Sequence, residues 1–305
     1  MPISLPSPAL VRLAVSCAVA VAVTVAPSDH GSSHGRAAAP ETVSASLTVR
    51  SVAQSRVSPA CPRSRVRLIA HRGTGVGTRT IGGRRYSEDT VAAFSKAMRS
   101  GVEGFETDYW PTSDGRLVSH HDPTLDRMTD GSGRIRERSW SYVRLVRNGS
   151  GAGVPTLRGV EAALARFGGL RQQEIKDGQQ FSNAKLSALV RIDRSYVPDA
   201  DRQVLVTSSE LRTLRRVHLL APTIGIGLIT RSRTGRPALA AVPRWVDVIA
   251  IDLRAADGTY VRRARSIGFL VSVRGVNTVA QLHRAVGVGA TRVVTDRPEV
   301  LGTAC

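Results

Sequence analysis

Eight short segments rich in β-branched and aliphatic residues recur along the chain from residue 66 onward, and amphipathic stretches separate most of them. Strands that alternate with helices pair in parallel and are covered by those helices. Eight such units in about 240 residues match the repeat number and size of a closed parallel barrel. We therefore predict a (β/α)8 TIM barrel. The strand candidates are residues 66–71, 104–110, 170–176, 202–208, 223–230, 246–252, 268–273 and 291–296.

The segments between the strands carry helix boundaries that support this repeat. Residues 88–101 have apolar side chains at helical spacing and close on a glycine, and residues 277–289 behave in the same way. A third helix candidate opens on Ser209 and stops before Pro222. An open doubly wound sheet is the alternative architecture. It is less favoured because the first strand is not followed by a glycine-rich phosphate loop of the required spacing.

One further strand-like run, residues 116–121, does not fit the repeat. It follows the second strand across TSDGR, which is a signal for a tight turn. We interpret it as the returning arm of a hairpin excursion after the second strand. Because the active sites of such barrels lie at the C-terminal ends of the strands, the hairpin is expected to bring His121 to the site.

The formal charge of +19 would normally suggest a polyanionic partner. Only Lys96, Lys176 and Lys185 are lysines, the arginines are scattered along the whole chain, and no basic stripe is interleaved with aromatic residues. This pattern favours a general bias toward arginine, so we predict no specific nucleic-acid partner. The positive field would still attract an anionic small-molecule substrate, and it leaves transient contact with a membrane or cell-wall surface open.

Residues 1–26 have the features of a cleaved signal peptide. Arg12 precedes the apolar run LAVSCAVAVAVTVA, which is short for a membrane span and ends in small residues. Residues 27–64 are rich in small residues and proline and are typical of a linker or propeptide. We therefore predict a secreted, extracellular protein with one folded domain over residues 65–305. Acylation of Cys17 as a lipoprotein is a less favoured alternative.

Export would place the two remaining cysteines in an oxidising compartment. Cys61 lies just before the first strand, and Cys305 is the last residue. A disulfide that joins the two ends of the domain is predicted on this basis. Two unpaired thiols are the alternative.

Ionisable residues collect at the predicted C-terminal ends of the first three strands. On the second and third strands they are spaced i, i+2, which turns both side chains of a pair to the same face. Inside a barrel such a set is costly unless its charges are paired or hold an ion. With the hairpin histidine, the set comprises His71, Arg72, Glu106, Asp108, His121, Glu174 and Lys176.

The chemistry of this set indicates metal-assisted cleavage of a phosphoester. Three carboxylates suit a hard divalent cation such as Mg²⁺ or Ca²⁺. The cation, Arg72 and Lys176 could together neutralise a phosphoryl oxygen. Two histidines beside it could act as general acid and general base near neutral pH.

Five stretches of sequence agree in order and spacing with one known family. They are IAHRG, the run from EDTVAAF to MTDGSG, VPTL, EIK and the terminal VVTDRP, with the densest agreement between residues 69 and 176. Over roughly residues 66 to 300 the chain resembles the glycerophosphodiester phosphodiesterase family of phospholipase C-like barrels. The resemblance implies a (β/α)8 barrel hydrolase that uses a divalent metal to convert glycerophosphodiesters to glycerol 3-phosphate and an alcohol.

The resemblance also implies roles for the site residues. The catalytic pair would be two histidines, which the sequence does not divide into acid and base. His121 is preferred to His120 because the motif of the family is His followed by Asp. By position, the implied roles are His71 and His121 in catalysis, Glu106, Asp108 and Glu174 as metal ligands, and Arg72 and Lys176 as phosphate contacts.

Four departures from the family pattern bear on substrate choice. Asp89 stands where an asparagine is usual, and the segment 74–87 is longer than usual and could be a lid, a second phosphate contact or a surface insertion. An aromatic residue expected after the fourth strand is Ser209, and a tryptophan expected near the end of the seventh is replaced around Arg274. The alcohol side of the pocket is therefore expected to be more open or more polar.

Two other functions stay open at the level of sequence. A phospholipase D-like enzyme acting on lysophospholipids or sphingolipids would need an apolar lip for an acyl chain, and no long apolar loop follows the strands. A non-catalytic barrel that binds polyanions would use the +19 charge, but three clustered carboxylates would give it no advantage.

Overall fold

The computed structural model describes residues 66–230 and 236–304. The predicted signal peptide, the linker and both cysteines of the predicted disulfide lie outside these ranges. Within them, no helix combines the length and the apolar character needed to cross a bilayer.

Eight parallel strands close into a barrel, so the (β/α)8 prediction is confirmed. The barrel strands are β1 (Arg67–Ala70), β4 (Gly104–Pro111), β6 (Leu170–Ile175), β7 (Val204–Ser208), β8 (Gly225–Ile229), β9 (Val248–Asp252), β10 (Leu270–Arg274) and β11 (Arg292–Thr295). They pair in this order, and β1 pairs with both β11 and β4, which closes the sheet. Every predicted strand overlaps one of these barrel strands.

Helices lie around the outside of the barrel and in the excursion that follows its second strand. In the described ranges they are α1 (Val91–Met98), α2 (Trp140–Val143), α3 (Leu157–Leu164), α4 (Asn183–Tyr196), α5 (Ala200–Gln203), α6 (Leu211–Leu220), α7 (Gly258–Ser266), α8 (Val279–Gly287) and α9 (Pro298–Leu301). Hydroxyl side chains cap several N-termini, and Thr278 forms a full capping box with Gln281 on α8. The helix expected to open on Ser209 begins at Leu211, because Glu210 occupies the N-cap.

Strand parity separates the core from the site on β4. Phe105 and Tyr109 are fully buried in the hydrophobic core, and the Phe105 ring lies 4.6 Å from the Phe94 ring of α1. Glu106 and Asp108 have the opposite parity and therefore point toward the barrel axis. Burial of each large core side chain is worth about 1.5–3 kcal/mol. The strand register that buries Phe105 and Tyr109 in the core therefore also turns the two carboxylates toward the barrel axis.

The predicted hairpin excursion after the second barrel strand is present. β5 (Leu117–Ser119) runs antiparallel to β4, with Tyr109 opposite Ser119. The residues that follow fold over this end of the barrel around a small separate core. That core consists of Trp110, Val118, Leu125, Ile135, Val143, Val146 and Val154.

The longer segment after β1 is a second hairpin, formed by β2 (Thr78–Ile81) and β3 (Arg84–Ser87). Its two-residue turn, Gly82-Gly83, has positive φ at both positions, as a hairpin turn of this length requires. Arg79 ties the hairpin to the C-terminal end of the barrel through Glu299, at 2.6 Å, and the backbone oxygen of Asp296.

A buried polar network joins β6 to the helices outside it. Arg171 and Glu161 are both fully buried, with 3.1 Å between Arg171 Nε and Glu161 Oε2. Gln173 Nε2 donates to Glu161 and, at 2.8 Å, to Asp193 of α4. Burial, followed by the charge of Glu161, raises the pKa of Asp193 well above its usual value.

Candidate active site

Three carboxylates meet at the C-terminal end of the barrel. Asp108 of β4 is in register with Glu174 of β6, and Glu106 lies one pleat earlier. One oxygen from each of the three lies within 4.8 Å of the other two. Glu106 and Asp108 are buried, and Glu174 is half-buried. The structure thus brings together the three residues predicted as metal ligands.

The buried carboxylates of this cluster repel one another, and this repulsion shifts their pKa values. Burial raises the pKa of Glu106 well above its usual value, and the charges of Asp108 and Glu174 raise it further. Burial also raises the pKa of Glu174. The pKa of Asp108 is lowered despite burial because Lys176 and Arg72 stabilise its charge. A further positive charge beside Glu106 and Glu174 would relieve this repulsion.

Lys176 and Arg72 neutralise part of the cluster. Lys176 Nζ lies 3.0 Å from Asp108 Oδ1 and 2.8 Å from Glu174 Oε1. Arg72 Nε lies 3.3 Å from Asp108 Oδ2, and the backbone N–H of Arg72 donates to Glu106 at 3.2 Å. Both predicted phosphate contacts therefore lie directly beside the predicted metal ligands.

The backbone at the end of β1 is strained. Arg72 has a φ of 49°, which is unusual for a residue other than glycine. At Gly73, with a φ of 84°, an added Cβ would lie 2.7 Å from the backbone of Ala93. This tight turn is held in part by the N–H of Asp89, which donates to the Arg72 oxygen at 3.1 Å. Such strain is common at functional sites, where it fixes side-chain direction.

His71 is held by a carboxylate on the last barrel strand end. His71 Nδ1 lies 2.6 Å from Asp296 Oδ1, and His71 Nε2 lies 3.8 Å from Glu106 Oε2. Asn277 Nδ2 donates to Asp296 Oδ2 at 2.9 Å, and the backbone N–H of Asp296 donates to Asn277 Oδ1 at 2.7 Å. Burial raises the pKa of Asp296, but the hydrogen bond and charge of His71 outweigh it and lower the value to about 2.

His121 has an equivalent carboxylate partner. Its Nδ1 lies 2.7 Å from Asp122 Oδ1, and Arg127 Nε donates to the other oxygen of Asp122. Arg127 Nη2 also donates to Glu88 at 2.5 Å. Burial lowers the pKa of His121, while the charge of Asp108 opposes this shift. Asp122 therefore orients the His121 ring through Nδ1, which leaves Nε2 for other contacts.

The adjacent histidine has a different environment. His120 is buried, with 4% of its surface exposed, and its Nε2 lies 3.0 Å from the backbone oxygen of Thr124. The side chain of His121 is 32% exposed. The structure thus brings His121, and not His120, to the cavity at the barrel end.

Asp89, the departure from the usual asparagine, lies beneath the carboxylate cluster. It is buried, and its Oδ1 accepts from the Asp108 N–H and from the hydroxyls of Thr107 and Ser119, each at 3.3 Å. Burial, followed by the charge of Asp108, raises the pKa of Asp89 well above its usual value. A protonated carboxyl, like an amide, offers one donor and one acceptor group.

A cavity of about 350 Å³ opens at this end of the barrel. Five of the seven predicted site residues line it, and Glu106 and Asp108 are buried next to them. No residue of segment 74–87 is in the lining. The lining residues are His71, Arg72, His121, Glu174, Lys176, Ser209, Ile229, Thr230, Asp252, Arg274, Gly275 and Asp296. A larger cavity of about 600 Å³, between the β4–β5 hairpin and helices α3 and α4, contains none of the predicted site residues.

Sequence reasoning missed the residues that hold the histidines. Asp296 lies in the VVTDRP motif at a strand end, so its position was a usable signal, and Asp122 follows His121 directly. Asn277 and Arg127 reach the site from loops, and no pattern in the sequence marks them.

The fold and the site together define a class of barrel protein. A closed (β/α)8 barrel carries an acidic cluster, two carboxylate-paired histidines and two cations on its C-terminal rim, and such a rim suits an anionic, oxygen-rich substrate such as a phosphate ester.

Comparison with known proteins gives the family. The model of the glycerophosphoryl diester phosphodiesterase family matches residues 71–300, and the chain belongs to this family.

Relatives of known name agree with this assignment. The glycerophosphodiester phosphodiesterase of Caldanaerobacter subterraneus subsp. tengcongensis is 26% identical over 248 residues, covering 77% of this chain and 95% of the relative. The one from Bacillus subtilis is 25% identical over 260 residues, covering 77% and 85%. Rat glycerophosphodiester phosphodiesterase 1 is 45% identical over 83 residues, or 27% of this chain and 23% of that protein.

Solved structures share the fold. An Oleispira antarctica phosphodiesterase in complex with the product sn-glycerol-3-phosphate superposes with a TM-score of 0.65 at 22% identity, covering 78% of this chain and 96% of that one. Agrobacterium tumefaciens glycerophosphodiester phosphodiesterase gives a TM-score of 0.61 at 20% identity, covering 78% and 99%.

Proposed function

We propose that the chain hydrolyses glycerophosphodiesters to glycerol 3-phosphate and an alcohol with the aid of a divalent cation, Mg²⁺ or Ca²⁺. The observation that carries the proposal is the three-carboxylate cluster, with its oxygens within 4.8 Å of one another, next to two histidines on one rim. Family membership and the product complex of the Oleispira relative support it.

The donor set fits a hard cation. Glu106, Asp108 and Glu174 would hold it through oxygen atoms alone, which is the ligand type that Mg²⁺ and Ca²⁺ prefer. A bound cation supplies positive charge to the phosphoryl oxygens of the substrate. Arg72 and Lys176 contact the same carboxylates and would bind the remaining phosphoryl oxygens.

The two histidines would move protons at their Nε2 atoms. The Nδ1 atoms of His71 and His121 face Asp296 and Asp122, so in the neutral ring the proton lies on Nδ1 and Nε2 is free to accept one. One histidine would take the proton of the glycerol 2-hydroxyl as its oxygen attacks phosphorus. The other would protonate the leaving alcohol, and water would then open the cyclic phosphate.

The cavity favours a small polar substrate over a lipid with an acyl chain. Among its described lining residues, Ile229 is the one large aliphatic side chain, and most of the others are charged or polar. An acyl chain would find little apolar surface there, so we do not propose lysophospholipid or sphingolipid cleavage.

We also propose that the enzyme acts outside the cell after removal of residues 1–26. The support is the sequence of the leader alone. N-terminal sequencing of the protein recovered from culture medium tests this, and recovery of the uncleaved chain from inside the cell would contradict it. Intact mass after alkylation, with and without reductant, tests the predicted bond between Cys61 and Cys305.

An activity screen tests the enzymatic proposal. The purified chain is depleted of metal by chelation and assayed on glycerophosphocholine before and after addition of Mg²⁺ or Ca²⁺. We expect activity only with added metal, and we expect Glu106→Ala to abolish it. Glu137→Gln, at an exposed position, is the matched control. Full activity after chelation would refute metal dependence, and no hydrolysis of any glycerophosphodiester would refute the function.

A further inference from the structure

The cavity has two halves with different chemistry. The half formed at the ends of β1, β4 and β6 contains the carboxylate cluster and the proposed phosphate contacts. The other half is formed by residues at or just after the ends of β7 to β10, which are Ser209, Ile229, Thr230, Asp252 and Arg274. A phosphodiester bound in the first half would extend one of its two alcohols over the second.

Arg274 is a cation without an assigned role in this second half. It is the last residue of β10 and is half-buried, and its Nη2 donates to the backbone oxygen of Thr230 at 2.5 Å. A guanidinium has five N–H donors, and among the described residues Arg274 forms no ion pair. Its charge lies near enough to Glu174 to oppose the rise that burial causes in the pKa of that residue.

Asp252 is the last residue of β9 and is in register with Arg274. Its Oδ1 accepts from the backbone N–H of Arg254 at 3.0 Å, and it has no ion-pair partner in the described ranges. A Cβ added at Gly275 would lie 3.8 Å from Asp252 Oδ2, so a side chain at position 275 would shield this oxygen more than glycine does. Two neighbouring side chains of opposite charge therefore line one cavity without pairing with each other.

Strand order places this pair on the side of His71. β10 is separated from β1 by β11 alone, and β11 leads into Asp296, the partner of His71. The subsite takes His71 as the histidine that protonates the leaving alcohol, whose substituent would then extend toward Arg274 and Asp252. Glycerol carries no charge, so a charged substituent has to come from the leaving alcohol.

We propose that Arg274 and Asp252 form a leaving-group subsite that takes an alcohol carrying both a carboxylate and an ammonium group. The guanidinium fork of Arg274 binds the carboxylate, a geometry that arginine matches better than other side chains do. Asp252 binds the ammonium group. This inference rests on the proposed function and adds to it the class of leaving alcohol.

Three substrates whose leaving alcohols differ in their charged groups test the subsite. Glycerophosphoserine has both charged groups, glycerophosphoethanolamine has the ammonium group alone, and glycerophosphoglycerol has neither. We expect the wild-type protein to have its highest kcat/KM on glycerophosphoserine. In Arg274→Gln, kcat/KM should fall roughly tenfold on glycerophosphoserine, as expected for loss of a charge-assisted hydrogen bond at a half-exposed site, and change little on the other two substrates.

Further variants separate local recognition from effects on the fold. Asp252→Asn should lower kcat/KM on the two ammonium substrates and leave glycerophosphoglycerol unchanged. Arg274→Lys should keep part of the preference, since it keeps the charge. Arg202→Gln, in α5 just before the start of β7, removes the same charge from an 87% exposed side chain at the opposite end of the barrel and should change none of the three.

The possible failures are distinguishable. Equal losses on all three substrates in Arg274→Gln, or no loss on any, would overturn the subsite while leaving the proposed function intact. A wild-type protein that hydrolyses none of the three with metal added would overturn the proposed function and the subsite together.

Discussion

Replacement of Asp296 by asparagine tests whether His71 works through its carboxylate partner. Asp296 accepts from both His71 Nδ1, at 2.6 Å, and Asn277 Nδ2, at 2.9 Å. The orientation of the Asn277 amide is fixed, because its Oδ1 accepts from the Asp296 backbone N–H. An asparagine at 296 would therefore turn its NH₂ group toward one donor or the other. One hydrogen bond is lost in either orientation, and the negative charge beside the ring is lost in both.

The size of the effect follows from this contact. A hydrogen bond to a charged group is worth about 1.5–3 kcal/mol. Both side chains are less than a third exposed, so solvent screens the pair only in part. At about 1.4 kcal/mol per factor of ten, Asp296→Asn should lower kcat roughly tenfold to 150-fold. KM should change by less than about threefold, because Asp296 acts on the ring of His71 and the loss appears mainly in the transition state.

The assay uses two substrates with different leaving groups. Initial rates are measured on glycerophosphocholine and on the p-nitrophenyl ester of glycerol phosphate, whose leaving group departs without a proton. If His71 protonates the leaving alcohol, the loss in Asp296→Asn shrinks to a few-fold on the nitrophenyl ester. If His71 is the base, the loss is the same on both substrates. A defect in folding alone would lower the active fraction, and hence the rate, equally on both substrates, and it would also lower the melting temperature of the purified protein.

The matched control is Asp257→Asn, a conservative change at the N-cap of α7, where asparagine also caps well. It should have wild-type kinetics. A folded Asp296→Asn protein with kcat within about twofold of wild type on glycerophosphocholine would refute the positioning role.

Three further predictions concern the histidine pair and the buried network. His121→Ala should lower kcat by about 10²–10⁴. His120→Ala should keep activity and lower the melting temperature, since it leaves a buried backbone oxygen unpaired. The reverse pattern would show that His120, and not His121, is the catalytic histidine. Glu161→Gln should cost about 3–5 kcal/mol of unfolding free energy, because the fully buried charge of Arg171 loses its partner, and a cost below about 1 kcal/mol in denaturant unfolding would contradict this. Burial and the charge of Glu161 raise the pKa of Asp193 in the folded state, so its stabilising contribution is present below pH 3.8 and falls as the pH rises toward the folded-state pKa. Asp193→Asn should therefore flatten the decline of melting temperature with pH, and an unchanged slope would disprove it.

The strand pattern predicted the barrel because the pattern and the fold share one cause. Alternating βα units bury their apolar faces in few ways, and all eight candidate segments overlap barrel strands. The turn signal at Asp114-Gly115 likewise predicted the antiparallel return of β5. The predicted helix starts were less exact than the strands, as the start of α6 at Leu211 shows. Several neighbouring residues can serve as an N-cap, and local hydrogen bonds decide which of them does so.

The sequence by itself determined which residues could form the acidic cluster. A spacing of two residues on a strand puts Glu106 and Asp108 on the same face. Positions at strand ends collected the seven site residues that the structure brings to one rim, and the resemblance to the family assigned their roles. The family model and the named relatives bear out the resemblance.

Only the tertiary structure decided how those residues are held and what lies opposite them. Asp296 is 225 positions from His71 in sequence and 2.6 Å away in space, a contact that exists because β11 closes the barrel beside β1. Arg274 faces the same cavity because β10 is two strands further around. Periodicity reports which face a side chain takes within its own element, but distances between elements depend on the order and register in which the strands pair.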